Sequence, residues 1–472
     1  MIRRATRWAD ERLGTQSFLR KSLNKVFPDH WSFMIGEIAL YSFVVLLLTG
    51  VYLTFFFTPD TTIVVYDGSY EQLRGVEMTA AFKSTLDVSF DVRAGLVMRQ
   101  MHHWAALLFV ASTTAHMLRI FFTGAFRKPR EINWVIGLLL MLMAIGNGFT
   151  GYSLPDDLLS GTGLRIAYSV AQSIPIAGNW VAFLVFGGEY PGNVIPRLYV
   201  IHILIIPAAI LGLLSAHLAI IWRQKHTQFA GKGRTETNVV GSRLYPNFAM
   251  KSLGLFLMTA AVLAGLGGLV QINPIWLYGP YDPAAVTAGS QPDWYIGWLE
   301  GALRLMPPWE IRAFGRTIPN PFFPGVLLPG VLFTLLFAWP WLEAWASKDQ
   351  AAHHILDRPR DRPKRSAFGV GASVFYLVIF LAGGNDVLAQ RFQVSVNAMT
   401  KLLQAALFVG PVVAYFVTYL VCRELRDAGV PITHPSVETG ILVRTPDGGY
   451  VEVERDPAEV EDEATPTSGA SL

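Results

Sequence analysis

Cysteine is almost absent: Cys422 is the single example among 472 residues. That excludes a disulfide framework, a Cys-rich zinc site and any iron–sulfur cluster ligated by this chain. No Cys-Xaa-Xaa-Cys-His run occurs, which excludes covalent haem attachment by that route. Charge is scarce as well. Asp, Glu, Lys and Arg make up 15% of residues, against about a quarter in an ordinary soluble protein. The net charge of +3 is too small to point to nucleic acid, and none is expected. A cleavable signal is not expected either, because Met1 to Phe27 is basic and polar and lacks a short apolar core.

What the chain does have is long apolar runs. A crossing of the hydrocarbon core takes about 20 mostly apolar residues. Eight stretches qualify or nearly so, at roughly 32–57, 98–122, 134–153, 198–222, 252–272, 322–346, 367–383 and 402–422. The expected fold class is therefore all-α, a polytopic membrane protein with eight transmembrane helices. The segment 166–187 is apolar but interrupted by Gln172, Pro175, Gly178 and Asn179. It is expected to form one or two helices at the surface. Lys and Arg concentrate in the N-terminal arm (Arg3, Arg4, Arg7, Arg12, Arg20, Lys21, Lys25) and in every second loop: Arg127, Lys128 and Arg130; Arg223, Lys225, Lys232 and Arg234; Arg358, Arg360, Arg362 and Lys364. The alternate loops carry Asp60, Asp67, Asp156, Asp157 and Asp282. Positive charge stays inside, so both termini are expected in the cytoplasm of a cell with this chain in its plasma membrane. The expected division is a basic arm (1–31), a four-helix bundle (32–230), a second helical part with a long outer loop (231–422) and a polar, acidic tail (423–472). The tail holds five prolines and an acidic run from Glu452 to Glu463, a composition that does not build a core.

Four histidines fall inside the second and fourth spans: His102, His116, His202 and His217. Ionisable residues at bilayer depth are costly and are functional candidates by default. The fourteen-residue step from His102 to His116 puts them about 40° apart around a helix and ~21 Å apart along it. The fifteen-residue step from His202 to His217 gives about 60° and ~22 Å. The two helices run in the same direction, so His102 meets His202 near the outer surface and His116 meets His217 near the inner one. Each pair suits bis-imidazole ligation of a non-covalent haem. His103 would lie about 140° from His116 around the helix and reads as a packing or polar-contact residue. Gly36 and Gly50, and Gly137 and Gly151, repeat the fourteen-residue step in the first and third spans. Without a Cβ they let a flat group approach the backbone, as two haem planes require. Arg99, Arg119 and Arg197 lie three to five residues from a histidine of the quartet, within reach of haem propionates.

These residues, together with Gly151-Tyr152-Ser153-Leu154-Pro155, Ser173-Ile174-Pro175 with Gly178, and Pro292-Asp293-Trp294-Tyr295, resemble the cytochrome b family of the bc complexes. The resemblance covers about 28 to 422. It implies two haems b and an outer quinol site that passes one electron to a Rieske iron–sulfur protein. The other electron crosses both haems to a quinone site on the cytoplasmic side, and proton translocation accompanies the cycle. Asp293 stands where the family motif has Glu and implies a proton acceptor, with Pro292, Trp294 and Tyr295 shaping the pocket. Glu300 replaces a tyrosine and implies help in proton exit. At the inner site Lys251 matches a family lysine, while the carboxylate that usually follows it is Ser252; Arg223 and His226 are weaker candidates. The fifteen-residue step is similar to cytochrome b6, but Cys422 is far from where that protein attaches an extra haem. An eight-span chain with Asp in the motif resembles the actinobacterial branch, which implies menaquinol, a di-haem cytochrome c, an aa3-type oxidase and a homodimer. A helical transporter is the rival of another class, and it would carry no haem.

Overall fold

The structure is a computed structural model that describes all residues except Met1, 286–288, 314, 429–436, 445–449 and 456–472. The apolar runs become eight helices long enough to cross a bilayer: Trp31–Thr54, Gly95–Thr123, Glu131–Ser153, Val194–Gln224, Leu244–Leu269, Phe323–Ser347, Pro363–Ala382 and Val396–Asp427. They are numbered below as the first to eighth spans. Their outward faces stay apolar and uncovered, as at Leu48, Leu257 and Leu420. Lipid tails, not water, are the solvent that such faces fit.

The first span packs on the second and the third on the fourth, and the fifth lies against the first and second. Trp134 ties the third span to the sixth by donating its indole N–H to the Leu336 carbonyl at 2.7 Å. The Pro-Asp-Trp-Tyr motif opens a helix, Trp294–Leu305, where a loop was expected. Gly301 lets this helix touch the seventh span, since a Cβ there would sit 1.7 Å from the Ile379 carbonyl oxygen. The interrupted segment forms two helices, Leu158–Gln172 and Gly178–Phe186, on either side of Pro175. Asp157 caps the first by accepting from Leu159 N at 3.0 Å and Ser160 N at 3.3 Å, satisfying N–H groups that a helix start leaves bare.

At the end that carries the basic loops, Arg365 is buried between Glu343 and Asp357, donating to Asp357 at 2.8 Å. Arg130 joins two loops there, donating to the His353 carbonyl at 2.8 Å and the Lys225 carbonyl at 3.0 Å. Fully or largely buried arginines satisfied by fork-shaped contacts hold loop positions that surface pairs would not.

Three further features depart from the sequence reading. The basic arm folds into two helices, Ile2–Leu13 and Thr15–Leu23. The polar tail contains an antiparallel hairpin, Val437–Arg444 with Tyr450–Arg455, in register Tyr450↔Arg444. In the sequence, Pro446-Asp447-Gly448 between two apolar-alternating runs is a hairpin signal that the acidic composition hid. Pro431, Pro435, Pro446, Pro457 and Pro466, and the acidic run beyond Arg455, lie outside the described residues. The third departure is within the fourth span, where Ile201–Ile205 forms a π-turn. Pro207 follows it and has no N–H to offer the carbonyl four residues back. A π-turn accommodates one additional residue, and its consequence appears at the histidines.

Candidate functional site

The four histidines point between the first four spans, each toward a glycine of a neighbouring helix. A Cβ added to Gly50 would stand 3.2 Å from His102 Cε1, and one added to Gly151 only 2.4 Å from His202 Cε1. The corresponding distances are 3.0 Å from Gly36 to His116 and 3.8 Å from Gly137 to His217. The glycines thus lie against the imidazole rings. The fifteen-residue step of the fourth span faces a fourteen-residue step of the third. The π-turn at Ile201–Ile205 absorbs the difference and keeps His202 and His217 on one face.

The His102 and His202 rings face each other with centroids 6.2 Å apart. That separation is the one of an edge-to-face ring pair, and it also equals two imidazole-to-metal bonds on the order of 2 Å each plus the two ring radii. The tautomers are set from behind. Thr49 donates its hydroxyl proton to the Val45 carbonyl at 2.7 Å, so it can only accept from His102 Nδ1, 2.9 Å away. His202 Nδ1 donates to the Asn147 carbonyl at 3.0 Å, with Thr150 at 3.2 Å. Both Nδ1 atoms therefore carry the proton, leaving the Nε2 lone pairs free to ligate. Thr49-Gly50 and Thr150-Gly151 form a repeated Thr-Gly pair, a sequence signal for this arrangement that the glycine spacing overshadowed.

Two arginines leave buried donors open. Arg119 Nε and Nη2, and Arg99 Nε, are buried without a hydrogen-bond partner. Arg119 lies over the Phe33 ring at 4.2 Å, and Arg99 donates from Nη2 to the Asn273 carbonyl at 3.0 Å. An unsatisfied buried guanidinium N–H is costly unless an anion completes it. Arg197, by contrast, is exposed and donates to the Leu184 carbonyl at 3.1 Å. It is not brought to the histidines.

A cavity of about 240 Å³ runs from His102, His202, Gly50, Gly151 and Arg99 to Asp293 and Tyr295. There the Asp293 carboxylate accepts two bonds, from His103 Nε2 at 2.8 Å and from the Tyr295 hydroxyl at 3.0 Å. His103 reaches Asp293 because it leaves the second span on a different side from His102. Gly148 makes room for Tyr295: a Cβ there would lie 2.6 Å from the phenol oxygen. Burial, and then the neighbouring Asp293, push the Tyr295 phenol well above its usual range, so it remains a donor. Trp294 packs edge-on to Tyr295 with centroids 6.0 Å apart, while Pro292 is half-buried. Glu300 is held by Arg304 and not by Asp293; burial raises its carboxyl, and Arg304 opposes the rise. Tyr152, also lining the cavity, has a buried hydroxyl without a partner.

At the basic end, Lys251 binds Asp29 at 2.8 and 2.6 Å, and that bond holds the Asp29 carboxyl below the usual carboxylate range. Arg223, in the last turn of the fourth span, is exposed. His226 packs tilted on Phe27 with centroids 4.5 Å apart, and burial lowers it to about 4, so its ring is neutral.

Eight membrane-crossing helices with two facing histidine pairs have the build of a membrane-bound cytochrome. Residues 107–280 match the family described as cytochrome b (N-terminal)/b6/petB. Cytochrome b subunits of the cytochrome bc1 complex are 50% identical in Corynebacterium efficiens (97% of this chain, 84% of that one) and 52% identical in Mycobacterium tuberculosis (97% and 83%). The Streptomyces coelicolor subunit is 50% identical over 95% of this chain and 83% of its own. The fold is also that of a solved structure titled hyperthermophilic respiratory Complex III, with TM-score 0.63 at 19% identity, covering 87% of this chain and 99% of that one. The chain belongs to the cytochrome b subunits of the cytochrome bc1 complex.

Proposed function

We propose that this chain is the quinol-oxidising, electron-conducting subunit of a bc1-type complex in a bacterial plasma membrane, with both termini cytoplasmic. The observation that carries the reading is the pair of histidine sites, one near each end of the bundle, each backed by glycine. His102 with His202, and His116 with His217, would each hold one haem b without a covalent bond. When bound, the two haems supply a one-electron relay across the membrane. The open donors of Arg99 and Arg119 suit propionates at the two ends.

At the outer end Asp293 takes a proton from quinol while His103 and Tyr295 hold its carboxylate. A general base must lie within hydrogen-bond reach of the proton it takes, and Asp293 borders the cavity that reaches the outer histidines. Glu300, bound to Arg304, lies farther along the proton exit. One electron of the quinol goes to a Rieske iron–sulfur protein; the other returns through the chain to a quinone site at the basic end, near Lys251 and Arg223. Proton release outside and uptake inside then translocate charge. Menaquinol as substrate, and a di-haem cytochrome c, an aa3-type oxidase and a second copy of the chain as partners, belong to the proposal through the resemblance of the sequence to the actinobacterial branch.

The test is single-turnover haem reduction by a menaquinol analogue in the purified complex. The reading expects quinol to reduce the haems in wild type and Asp293→Asn to slow that step with haem content unchanged. An equal rate in the variant would refute the role of Asp293.

A further inference from the structure

Ser252 leaves the lysine at the basic-end quinone site without the carboxylate that a proton-consuming reduction calls for. The structure brings one from another helix. Glu37, near the start of the first span, accepts at Oε2 from the Ser252 hydroxyl at 2.6 Å and from the Tyr41 hydroxyl at 3.0 Å. Tyr41 and Ser252 also touch each other. Lys251 is bound instead to Asp29, and both side chains of that pair are about half exposed. The cluster therefore has a wet ion pair at its rim and a half-buried carboxylate held by two hydroxyls within. Hydroxyls can accept as well as donate, so they can relay a proton to the group they hold.

The location is as telling as the bonds. Glu37 follows Gly36, whose backbone lies against the His116 ring, 3.0 Å from the position of an added Cβ. Glu37 is one residue from that contact, about 1.5 Å along the helix axis and turned about 100° from it, so its backbone lies at the depth of the basic-end histidine pair. The Tyr41 ring packs on Phe256 at 5.3 Å, an aromatic wall suited to a flat quinone ring.

We infer that Glu37 is the proton-delivering carboxylate of the basic-end quinone site, with Ser252 and Tyr41 as its positioning partners. The inference rests on the function proposed above. Reduction of quinone to quinol consumes two electrons and two protons. The electrons come from quinol oxidised at the opposite end, through the histidine pairs. For each electron, the Glu37 carboxylate takes a proton from water at the rim and passes it to a quinone oxygen as the new O–H bond forms.

The test compares wild type, E37Q and E37D in the intact complex. Haem content, quinol-driven haem reduction, and reoxidation of the reduced haems by added menaquinone analogue are measured separately. In E37Q, haem content and the first rate stay within about twofold, and reoxidation slows at least tenfold; E37D recovers part of the loss. An infrared difference spectrum on quinone reduction shows a carboxyl-group band change in wild type that is missing in E37Q. Tyr41→Phe and Ser252→Ala slow reoxidation several-fold and serve the same test if E37Q does not assemble. Wild-type reoxidation in E37Q, or in both partner variants when E37Q does not assemble, would overturn the assignment while leaving the haem reading intact. Absence of haem in wild type would overturn the underlying function instead.

Discussion

The two ends of the bundle use one plan with different tightness. At the end with the Pro-Asp-Trp-Tyr helix, both histidines are oriented from behind by hydrogen bonds, and the third-span glycine leaves least room, 2.4 Å for an added Cβ. At the basic end the equivalent glycine leaves 3.8 Å, and His116 Nδ1 is buried without a partner. The carboxylates differ too: Asp293 is clamped by an imidazole and a phenol, Glu37 by two hydroxyls. The comparison teaches that a repeated histidine spacing does not produce equivalent sites. The groups behind each ligand decide how rigidly it is held and what chemistry adjoins it.

The largest effect should come from removing one ligand at either end. His202→Leu or His217→Leu is expected to lower haem from two per chain to one, and a pyridine-haem assay with a reduced spectrum identifies which remains. Equal loss of both haems from either variant would break the idea of two separable sites. Next, Asp293→Asn should slow quinol-driven haem reduction by about 10²-fold, within the range of a lost general base, whereas E37Q leaves that step alone. The third prediction sharpens the contrast in tightness. Gly151→Ala needs His202 to move and should release much of the outer haem, while Gly137→Ala adds an ordinary contact and should retain the inner one. Haem retention on mild heating reads both. Should the two variants behave alike, the measured gap has no consequence.

The smallest effect concerns pH. Burial raises the Asp157 carboxyl to about 6, against the hydrogen bonds that it accepts as a helix cap. A carboxyl raised by folding contributes its stability in full below its unfolded value of about 3.9, and loses it as pH rises through about 6. Unfolding temperature should therefore fall by about 3–6 °C over that window. Asp157→Asn keeps a capping oxygen and should flatten this slope; an unchanged slope in the variant would show that Asp157 is not its source.

The eight spans were legible because the bilayer demands length and apolarity, both written locally in the chain. The histidine and glycine spacings were legible for a related reason, since helical geometry converts residue number into axial distance. Ideal geometry misjudged the fourth span, where the π-turn before Pro207 takes up one residue and brings a nominal 60° offset back onto one face. Contacts between distant segments were beyond a periodicity argument. Nothing local says that His103 meets Asp293, that Lys251 turns to Asp29, or that Glu37 meets Ser252. The helical arm and the tail hairpin were missed because composition was weighed above local turn chemistry and amphipathic pattern.

The central claim is that two bis-histidine haems b lie within this one chain. A dithionite-reduced-minus-oxidised spectrum of the purified protein, with haem quantified per chain, tests it most directly. The account predicts a b-type band and two non-covalent haems, both extracted by acidified organic solvent. An unpigmented protein, or a single haem in fully loaded wild type, would contradict it.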